Sequence, residues 1–160
     1  MTDREAIADL IYRYCRAMDR IDREQGYAIW HPDGTADYGE AVYQGSARGF
    51  VDQVCDQHAR MLRHSHQVTN IIIEVADDRA GSESYYTTAL RMMRGETMTE
   101  IRVWGRYVDT WSKRDGRWGI DHRIAIRDFD DMRAVTPMSN DTRSSRDRDD
   151  PSYAVLKERS

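Results

Sequence analysis

The feature of this sequence that most constrains its fold is a run of four long β-type segments in the second half. They cover residues 66–75, 81–93, 97–112 and 118–128, and the short stretches between them are rich in Asp, Arg and Gly, as hairpin turns are. Consecutive strands joined by short turns pair as antiparallel neighbours. Helices must therefore come from the first half of the chain, and this order predicts an α+β fold whose helices cover one face of a curved sheet.

Helical patterns occupy most of the first half. We predict a long helix over residues 3–21, a short helical piece over 23–30 that a turn at 31–34 ends, and a second long helix from Gly45 to about Arg63. The first helix carries an apolar stripe, at steps of three and four residues, that consists of Ile7, Leu10, Ile11, Tyr14, Cys15 and Met18. This stripe is expected to face the core.

The C-terminal residues differ in composition from the rest. Charged residues make up 32% of the chain and apolar residues 39%, and from Met132 onward Arg, Asp, Ser and Asn dominate with little apolar periodicity. Such a segment buries too little surface to offset the entropy that it loses on ordering. We therefore expect one domain over residues 1–131 and a mobile tail over 132–160, whose residues 153–156 are apolar enough to dock on a partner subunit or across a pocket mouth.

Charge and hydropathy argue against two classes of partner. The formal net charge is −4, and Arg and Asp are interleaved without forming a basic face, so nucleic acid is not an expected partner. The N-terminal residues lead directly into the first helix without the apolar core of a signal peptide, and no apolar run approaches the roughly 18 residues of a membrane span. We expect a cytoplasmic protein with no membrane partner, in which Cys15 and Cys55 are buried free thiols.

Three local patterns, taken in order, resemble the SnoaL-like branch of the nuclear transport factor 2-like superfamily over about residues 3–130. They are the 6–19 segment of the first helix, Trp30 followed by Pro-Asp-Gly at 32–34, and His-Gln-Val-Thr-Asn at 66–70. Within this branch the chain is most similar to scytalone dehydratase-like enzymes, hexachlorocyclohexane dehydrochlorinase and bile acid dehydratases, which are lyases without a cofactor. The resemblance implies a cone-shaped α+β barrel, with a curved mixed or antiparallel sheet wrapped around the N-terminal helices, and a homodimer or homotrimer.

The same resemblance assigns four candidate catalytic residues. In the latter two enzyme groups an aspartate late in the first helix pairs with a histidine that opens the strand after the second long helix, and the matching positions are Asp19 and His66. Bile acid dehydratases place a tyrosine five residues before the aspartate, as Tyr14 stands here, and an arginine on the last strand matches Arg123. The pair is chemically reasonable, because a carboxylate that holds one ring nitrogen leaves the other free as a general base.

The residues alone leave structural interpretations open. Asp19 is also consistent with a solvated residue at a helix end, and both His66 and Tyr14 with ordinary core residues. Arg123 is equally consistent with a structural ion pair to Asp121 or Asp19 across the sheet. The resemblance is what favours the catalytic interpretation of these four side chains.

The sequence also contains an incomplete metal-binding pattern. His64 and His66 form an H-x-H pair on one strand face, which would suit a metal ion if His58 or His122 supplied a third ligand. No recognisable spacing places that third ligand, so we predict that the protein binds no metal. The resemblance to lyases without a cofactor implies that this protein also uses no other cofactor.

Together these features predict a cofactor-independent lyase that acts on a small hydrophobic substrate, whether aromatic, alicyclic or steroid-like. His66, held by Asp19, would abstract a proton, and water or another small group would leave. Trp30, Tyr38 and Trp104 are predicted to bind the substrate, because aromatic side chains commonly line such pockets. The alternatives are cofactor-free C–C cleavage or isomerisation in a similar pocket, and a non-catalytic ligand-binding or assembly subunit of the same fold.

Overall fold

The computed structural model describes residues 1–139 and 143–156. Within these ranges the elements follow the predicted order, with helices first and the four long strands later. The elements are α1 (Asp3–Arg20), α2 (Arg23–Ala28), β1 (Trp30–Asp37), β2 (Gln44–Ser46), α3 (Ala47–Ala59), β3 (Arg63–Ala76), β4 (Arg79–Arg94), β5 (Thr97–Arg114), β6 (Arg117–Ala134) and α4 (Ser152–Val155).

The strands form one mixed sheet in the order β2-β1-β6-β5-β4-β3. Strands β3 to β6 pair antiparallel in chain order, whereas β1 pairs parallel with β6 and antiparallel with β2. Since β2 and β3 are the two edges, the sheet is open and does not close into a barrel. The predicted cone-shaped α+β fold is confirmed, with helices inside the curve of a six-stranded sheet.

Local signals form α1, and its apolar stripe holds it in place. Thr2 and Glu5 make a capping box, in which the Thr2 amide donates to the Glu5 carboxylate at 2.7 Å and the Glu5 amide donates to the Thr2 hydroxyl at 3.3 Å. The helix ends at Ile21, whose backbone is left-handed with a φ of 55°. It packs mainly against β3 and buries Ile7, Ile11, Tyr14, Cys15, Ala17 and Met18.

The first strand differs from the prediction. The sequence predicts a turn at residues 31–34, but β1 already begins at Trp30. Its pairing with β6 shifts register between Trp30 and Thr35, so the turn-like residues form an irregular stretch of strand. Gly34 permits the close approach to β6, because a Cβ at this position would lie 2.9 Å from the carbonyl oxygen of Ile120.

The last strand extends further than predicted. β6 spans Arg117–Ala134, whereas the sequence pattern indicates an end near Asp128. Its register against β5 shifts at two places, one of them between Trp104 and Gly105. A Cβ at Gly105 would lie 2.1 Å from the carbonyl oxygen of Ile126, so a glycine is required where the two strands approach. These irregularities bend the strand pair and help to curve the sheet around the helices.

The main core lies between the helices and the inner face of the sheet. It joins the stripe of α1 to side chains of α3 and the sheet that include Phe50, Val51, Tyr107, Trp111, Trp118 and Ile120. In the described part of the chain, no helix combines the length and the apolar character that crossing a membrane requires.

The described part of the predicted tail contacts the ends of the first two helices. The hydroxyl of Tyr153 donates to the Asp22 carboxylate at 2.7 Å, and the guanidinium of Arg16 lies 4.2 Å from the centre of the Tyr153 ring. Residues 140–142 and 157–160 of the predicted tail lie outside the described residues. The division of the chain into a domain and a mobile or docking tail stays a prediction.

The outer face of the sheet contains a buried carboxylate. Glu100 on β5 is only 2% exposed. Arg91 and Arg102 each donate to it through Nε at 2.7 Å, and Arg133 donates through Nη2 at 3.0 Å. Burial by itself raises the pKa of Glu100, but the three guanidinium groups outweigh burial and bring the pKa down to about 2. The cluster ties β4, β5 and β6 together.

We expect Glu100→Gln to lower the free energy of unfolding at pH 7 by about 1–3 kcal/mol, because three arginines lose their common anion. The folded pKa of about 2 lies below the ordinary 4.5, so the contribution is present above pH 4.5 and is lost as the pH falls towards 2. Urea unfolding across this pH range measures both effects. Asp130→Asn, which removes the exposed ion pair with Arg127, should change stability by less than about 0.5 kcal/mol. Unchanged stability of the Glu100 variant at pH 7 would contradict this account.

Candidate active site

Asp19 and His66 meet where the last turn of α1 packs against the start of β3. The Nδ1–H of His66 donates to Oδ1 of Asp19 at 2.7 Å. The backbone amide of His66 also donates to both carboxylate oxygens, at 3.0 and 3.1 Å. The side chains are nearly buried, with exposed fractions of 7% for His66 and 16% for Asp19. The structure thus brings together two residues that are 47 positions apart in the chain.

This double attachment fixes the orientation of the His66 ring. Because Nδ1 carries the proton that the carboxylate accepts, Nε2 of the neutral ring has a free lone pair. Among the residues that the structure describes, Nε2 makes no hydrogen bond. Thr88 of β4 is the register partner of His66 and is also buried. The arrangement therefore provides a base with a defined tautomer.

Two further histidines lie beside the pair and are held neutral. Nε2 of His64 and Nδ1 of His58 approach the carbonyl oxygen of Met18 at 3.0 and 3.4 Å, and the two rings stack with centroids 4.1 Å apart. Burial lowers the pKa of His58 to about 3, with smaller effects from His66 and His64, and burial also lowers the pKa of His64. The neutral rings donate to the end of α1 and so support the turn that carries Asp19.

The two histidines of the H-x-H pattern have different partners, a backbone carbonyl for His64 and the Asp19 carboxylate for His66. Their ring centroids are 6.2 Å apart. His122 lies on β6, where its Nδ1 bonds the hydroxyl of Thr35 at 2.8 Å. Within residues 1–139 and 143–156, no group of three or more His, Cys, Asp or Glu side chains is arranged to hold a metal ion.

Tyr14 and Tyr38 bring a pair of hydroxyl groups into the interior. The two oxygens are 2.8 Å apart. The ring of Tyr38 stacks on Phe50 at 3.9 Å, and the ring of Tyr14 meets Tyr107 edge to face at 5.6 Å. Burial raises the pKa of Tyr14 to about 12 and raises that of Tyr38 well above its ordinary value. Both hydroxyls therefore keep their protons and can act as hydrogen-bond donors.

Arg123 is fully buried and forms an ion pair with Asp109. Its Nε and Nη2 donate to the two carboxylate oxygens at 2.7 and 2.8 Å, and neither side chain is exposed. The centre of the guanidinium lies 4.3 Å from the Tyr14 ring and 4.1 Å from the Tyr107 ring. Burial acts against the charge, but the Asp109 carboxylate outweighs it and raises the pKa of Arg123. The guanidinium is thus fixed in position and permanently charged.

The sequence alone does not single out Asp109. Asp121 and Asp19, the partners that the sequence suggests for Arg123, both bind other groups. The register of β5 and β6 instead places Asp109 directly opposite Arg123. The available signal is strand alternation, since Asp109 lies two residues after Tyr107 and therefore faces the same side of the sheet.

Two of the three predicted substrate-binding residues lie near Arg123, and the third does not. Trp30 is 3% exposed, and its ring centre is 5.4 Å from the guanidinium of Arg123. The other residue is Tyr38, whose hydroxyl oxygen lies 2.8 Å from that of Tyr14. Trp104 stacks on Phe129 at 4.9 Å. Because alternate residues of β5 face opposite sides, Trp104 lies on the outer face while Tyr107 lies on the inner one. Trp104 and Arg123 therefore lie on opposite faces of the sheet, and a role of Trp104 in substrate binding stays a prediction.

Two surface cavities lie beside α2, away from the Asp19–His66 pair. Their volumes are about 520 and 480 Å³. The first lies between α1, α2 and the β5–β6 turn, and the second lies between α2 and β1 and includes part of Trp30. Neither is lined by Asp19, His66, Tyr14 or Arg123. The rings of Tyr14, Trp30 and Tyr107 lie around the guanidinium of Arg123.

A comparison of the sequence with known protein families finds the SnoaL-like domain over residues 1–124. The chain belongs to the SnoaL-like family. This result confirms the resemblance seen in the sequence, and the SnoaL-like region contains the Tyr14, Asp19, His66 and Arg123 side chains described above. A search of curated proteins found no match.

Solved structures of low sequence identity share the SnoaL-like fold. A putative scytalone dehydratase from Novosphingobium aromaticivorans is 21% identical, with a TM-score of 0.70 over 88% of this chain and 95% of that one. A type 2 hexachlorocyclohexane dehydrochlorinase, LinA, is 16% identical, with a TM-score of 0.72 over 87% and 93%. A variant of Rv3472, a function unknown protein from Mycobacterium tuberculosis, is 25% identical, with a TM-score of 0.64 over 79% and 72%.

The burial of His58 predicts an unusual titration. Its pKa of about 3 lies below the ordinary 6.5, so the ring should stay neutral from pH 8 down to about pH 4. Since the unfolded chain takes up this proton below pH 6.5 and the folded chain does not, the associated stability is lost as the pH falls from 6.5 towards 3. NMR of the ring resonances measures the titration, and His58→Asn should show a flatter acid dependence of unfolding. A titration midpoint near pH 6 would show that the ring is not held neutral.

Proposed function

We propose that this protein is a cofactor-independent lyase of small hydrophobic substrates, with His66 as the base. The observation that carries the proposal is the 2.7 Å hydrogen bond from Nδ1 of His66 to Asp19, which leaves Nε2 free of partners among the described residues. A carboxylate in this position maintains the reactive tautomer and stabilises the imidazolium that forms when Nε2 takes a proton.

The family and its structures support this class of chemistry. Two structural neighbours carry the names of elimination enzymes, a putative scytalone dehydratase and a hexachlorocyclohexane dehydrochlorinase. Together with the SnoaL-like domain over residues 1–124, these names support a lyase-type or isomerase activity. These neighbours support only the reaction class, because their sequences are only 21% and 16% identical to this chain. The substrate has to be inferred from this chain's own residues.

In the proposed reaction, Nε2 of His66 removes a proton from a substrate carbon, and the released electron pair forms a double bond as water or another small group departs. The Tyr14 hydroxyl, which keeps its proton because its pKa is about 12, donates to the group that gains negative charge. Arg123 stabilises the same charge, and Trp30 and Tyr38 supply the aromatic contacts of the substrate. The imidazolium then gives its proton to the departing group or to water.

The same side chains suit two other reaction types. Proton removal from carbon also begins an isomerisation, and proton removal from a hydroxyl begins a cofactor-free C–C cleavage. The non-catalytic alternative is a ligand-binding or assembly subunit of the same fold. The substrate, more than the protein, would decide among the catalytic alternatives.

We also propose that the protein forms a homodimer or homotrimer through the outer face of its sheet. Large apolar side chains are exposed on that face, including Ile72 at 58%, Tyr85 at 42% and Phe129 at 61%. An exposed apolar surface of this kind is typical of a protein interface. Sedimentation equilibrium, compared with that of Phe129→Glu, measures the association directly.

We expect His66→Ala to lower kcat by about 10²–10⁴-fold and Asp19→Asn by about 10²-fold or more, since both changes remove the oriented base. The assay follows naphthol formation from 3-hydroxy-1-tetralone and chloride release from γ-hexachlorocyclohexane, with the wild type measured first. His122→Gln, which changes a histidine on β6 that bonds the Thr35 hydroxyl and not Asp19, should retain wild-type rates. Full activity of His66→Ala on any substrate that the wild type converts would exclude His66 as the base, and binding without turnover would favour the non-catalytic alternative.

A further inference from the structure

The cavity between α2 and β1 lies outside the candidate active site. Its volume is about 480 Å³, and small-molecule sites typically measure roughly 300–1,000 Å³. Residues of α2, the start of β1 and the first turn of α3 line it, together with Arg117 at the start of β6. None of the four candidate catalytic residues is among them. A molecule bound in this cavity would therefore not contact the His66–Asp19 pair.

His31 forms part of the cavity wall, and its ring is held in one orientation. The residue is only 3% exposed, and its Nε2 donates to the carbonyl oxygen of Ser112 at 2.9 Å. The ring also packs on the backbone of Gly119, where a Cβ would lie 2.9 Å from Nε2. Because Nε2 carries the proton of the neutral ring, Nδ1 has a free lone pair and can only accept a hydrogen bond.

Nδ1 of His31 has no partner in the part of the chain that the structure describes. It makes no hydrogen bond there, and it does not belong to the buried side-chain atoms that lack a partner. Nδ1 is therefore accessible, although the residue as a whole is nearly buried. A fixed acceptor at the wall of a cavity marks a position where a hydroxyl or N–H group of a ligand would be bound.

Arg48 supplies hydrogen-bond donors to the same cavity. Its guanidinium lies 4.0 Å from the centre of the Tyr27 ring, and the Tyr27 hydroxyl donates to the Asp52 carboxylate. The guanidinium therefore rests on a ring that is itself held in place. Within residues 1–139 and 143–156 it makes no hydrogen bond and no ion pair. Its N–H groups are available for the two parallel hydrogen bonds with which arginine binds a carboxylate.

The other charged groups of the cavity wall are Arg117 and Glu24. Arg117 is bound to the backbone, since it donates to the carbonyl oxygens of Ala28 and Trp30 at 2.8 and 3.2 Å. Glu24 is exposed to solvent at the rim. The wall thus carries two guanidinium groups and one carboxylate, and Arg48 is the guanidinium without acceptors from the protein.

The charges behind the wall balance those of the wall. Arg23 pairs with Asp52 at 3.1 Å and with Asp56 at 2.6 Å, which leaves one negative charge. On the side of His31 two aspartates pair with two arginines, which are Asp33, Asp121, Arg79 and Arg114. The formal charges of the wall and of these groups sum to zero. An anionic ligand would therefore be held by direct contact with Arg48 and not by a general positive field.

We propose that this cavity binds a small aromatic acid that carries a hydroxyl group, with its carboxylate on Arg48 and its hydroxyl donating to Nδ1 of His31. A carboxylate alone would leave His31 without a donor, and a hydroxyl alone would leave Arg48 without an acceptor. The apolar parts of Ala28, Pro32 and Trp30 line the remaining wall and suit an aromatic ring. The site is separate from the proposed function and does not depend on it.

Equilibrium binding tests the proposal without turnover. The probes are 3-hydroxybenzoate and 4-hydroxybenzoate, which carry both groups, and benzoate and 4-hydroxybenzamide, which each lack one of them. Titration at pH 8 is followed by calorimetry and by ¹⁵N NMR of the histidine rings. We expect at least one hydroxybenzoate to bind about fivefold or more tightly than benzoate and 4-hydroxybenzamide. The Nδ1 resonance of His31 should shift, and the ring resonances of His66 should not.

Two variants separate the two contacts. Arg48→Gln removes the partner of the carboxylate and should weaken that hydroxybenzoate to the affinity of 4-hydroxybenzamide. His31→Gln keeps a donor for the Ser112 carbonyl oxygen but removes Nδ1, so it should weaken the same probe to the affinity of benzoate. Arg60→Gln is the matched control, because it changes an exposed arginine at the opposite end of α3 and should bind all probes as the wild type does.

Equal affinity of the wild type for all four probes, or no binding of any of them, would overturn the proposal. A shift of the His66 resonances in place of those of His31 would do the same, since the probe would then occupy the candidate active site. Arg48 is exposed, so its variant keeps the test valid if circular dichroism shows that His31→Gln does not fold. His66→Ala leaves the whole cavity wall in place and should retain the selectivity, so absence of lyase activity would contradict only the proposed function.

Discussion

The docking of α1 into the curved sheet is the interaction on which both the core and the candidate site depend. Ile7, Ile11 and Met18 are fully buried, and each such side chain contributes about 1.5–3 kcal/mol relative to exposure. That burial fixes the rotation of the helix, and the rotation directs Asp19, which lies one turn after Cys15, towards β3. A carboxylate on a buried stripe would be costly if unpaired, but the amide and ring of His66 satisfy it. The helix thus positions a polar group that it could not tolerate alone.

The parts of the structure that follow from short-range patterns could be predicted from the sequence. The α1 stripe and the four long strands are predictable because a helix and a strand have different periods. The contact between Asp19 and His66 is different in kind. No local pattern joins residues 47 positions apart, and it was the resemblance to a family that suggested this pair.

The parts that could not be predicted depend on strand register. Bulges near Gly105 and in β1 decide which side chains face each other, and they are set by backbone contacts with distant strands, such as the approach of Gly34 to Ile120. The register of β5 and β6 makes Asp109 the partner of Arg123. Pairing with β6 likewise makes the turn-like sequence at residues 31–34 part of a strand. Trp104 shows a simpler limit of prediction from sequence. An aromatic residue suits either face of a sheet, and only the alternation of its neighbours shows which face it occupies.

Burial gives the interior its chemical character by moving nearby titratable groups away from neutral pH. It raises the pKa of Tyr14 and of the Cys15 thiol to about 12 each, and it lowers that of His58 to about 3. These groups keep one protonation state under physiological conditions, so they act as fixed donors and packing groups. In the reaction that we propose, the His66–Asp19 pair carries the proton, and the carboxylate compensates the charge of the imidazolium. General base catalysis benefits from neighbouring donors of fixed protonation state, and the burial that stabilises the fold is also what fixes these donors.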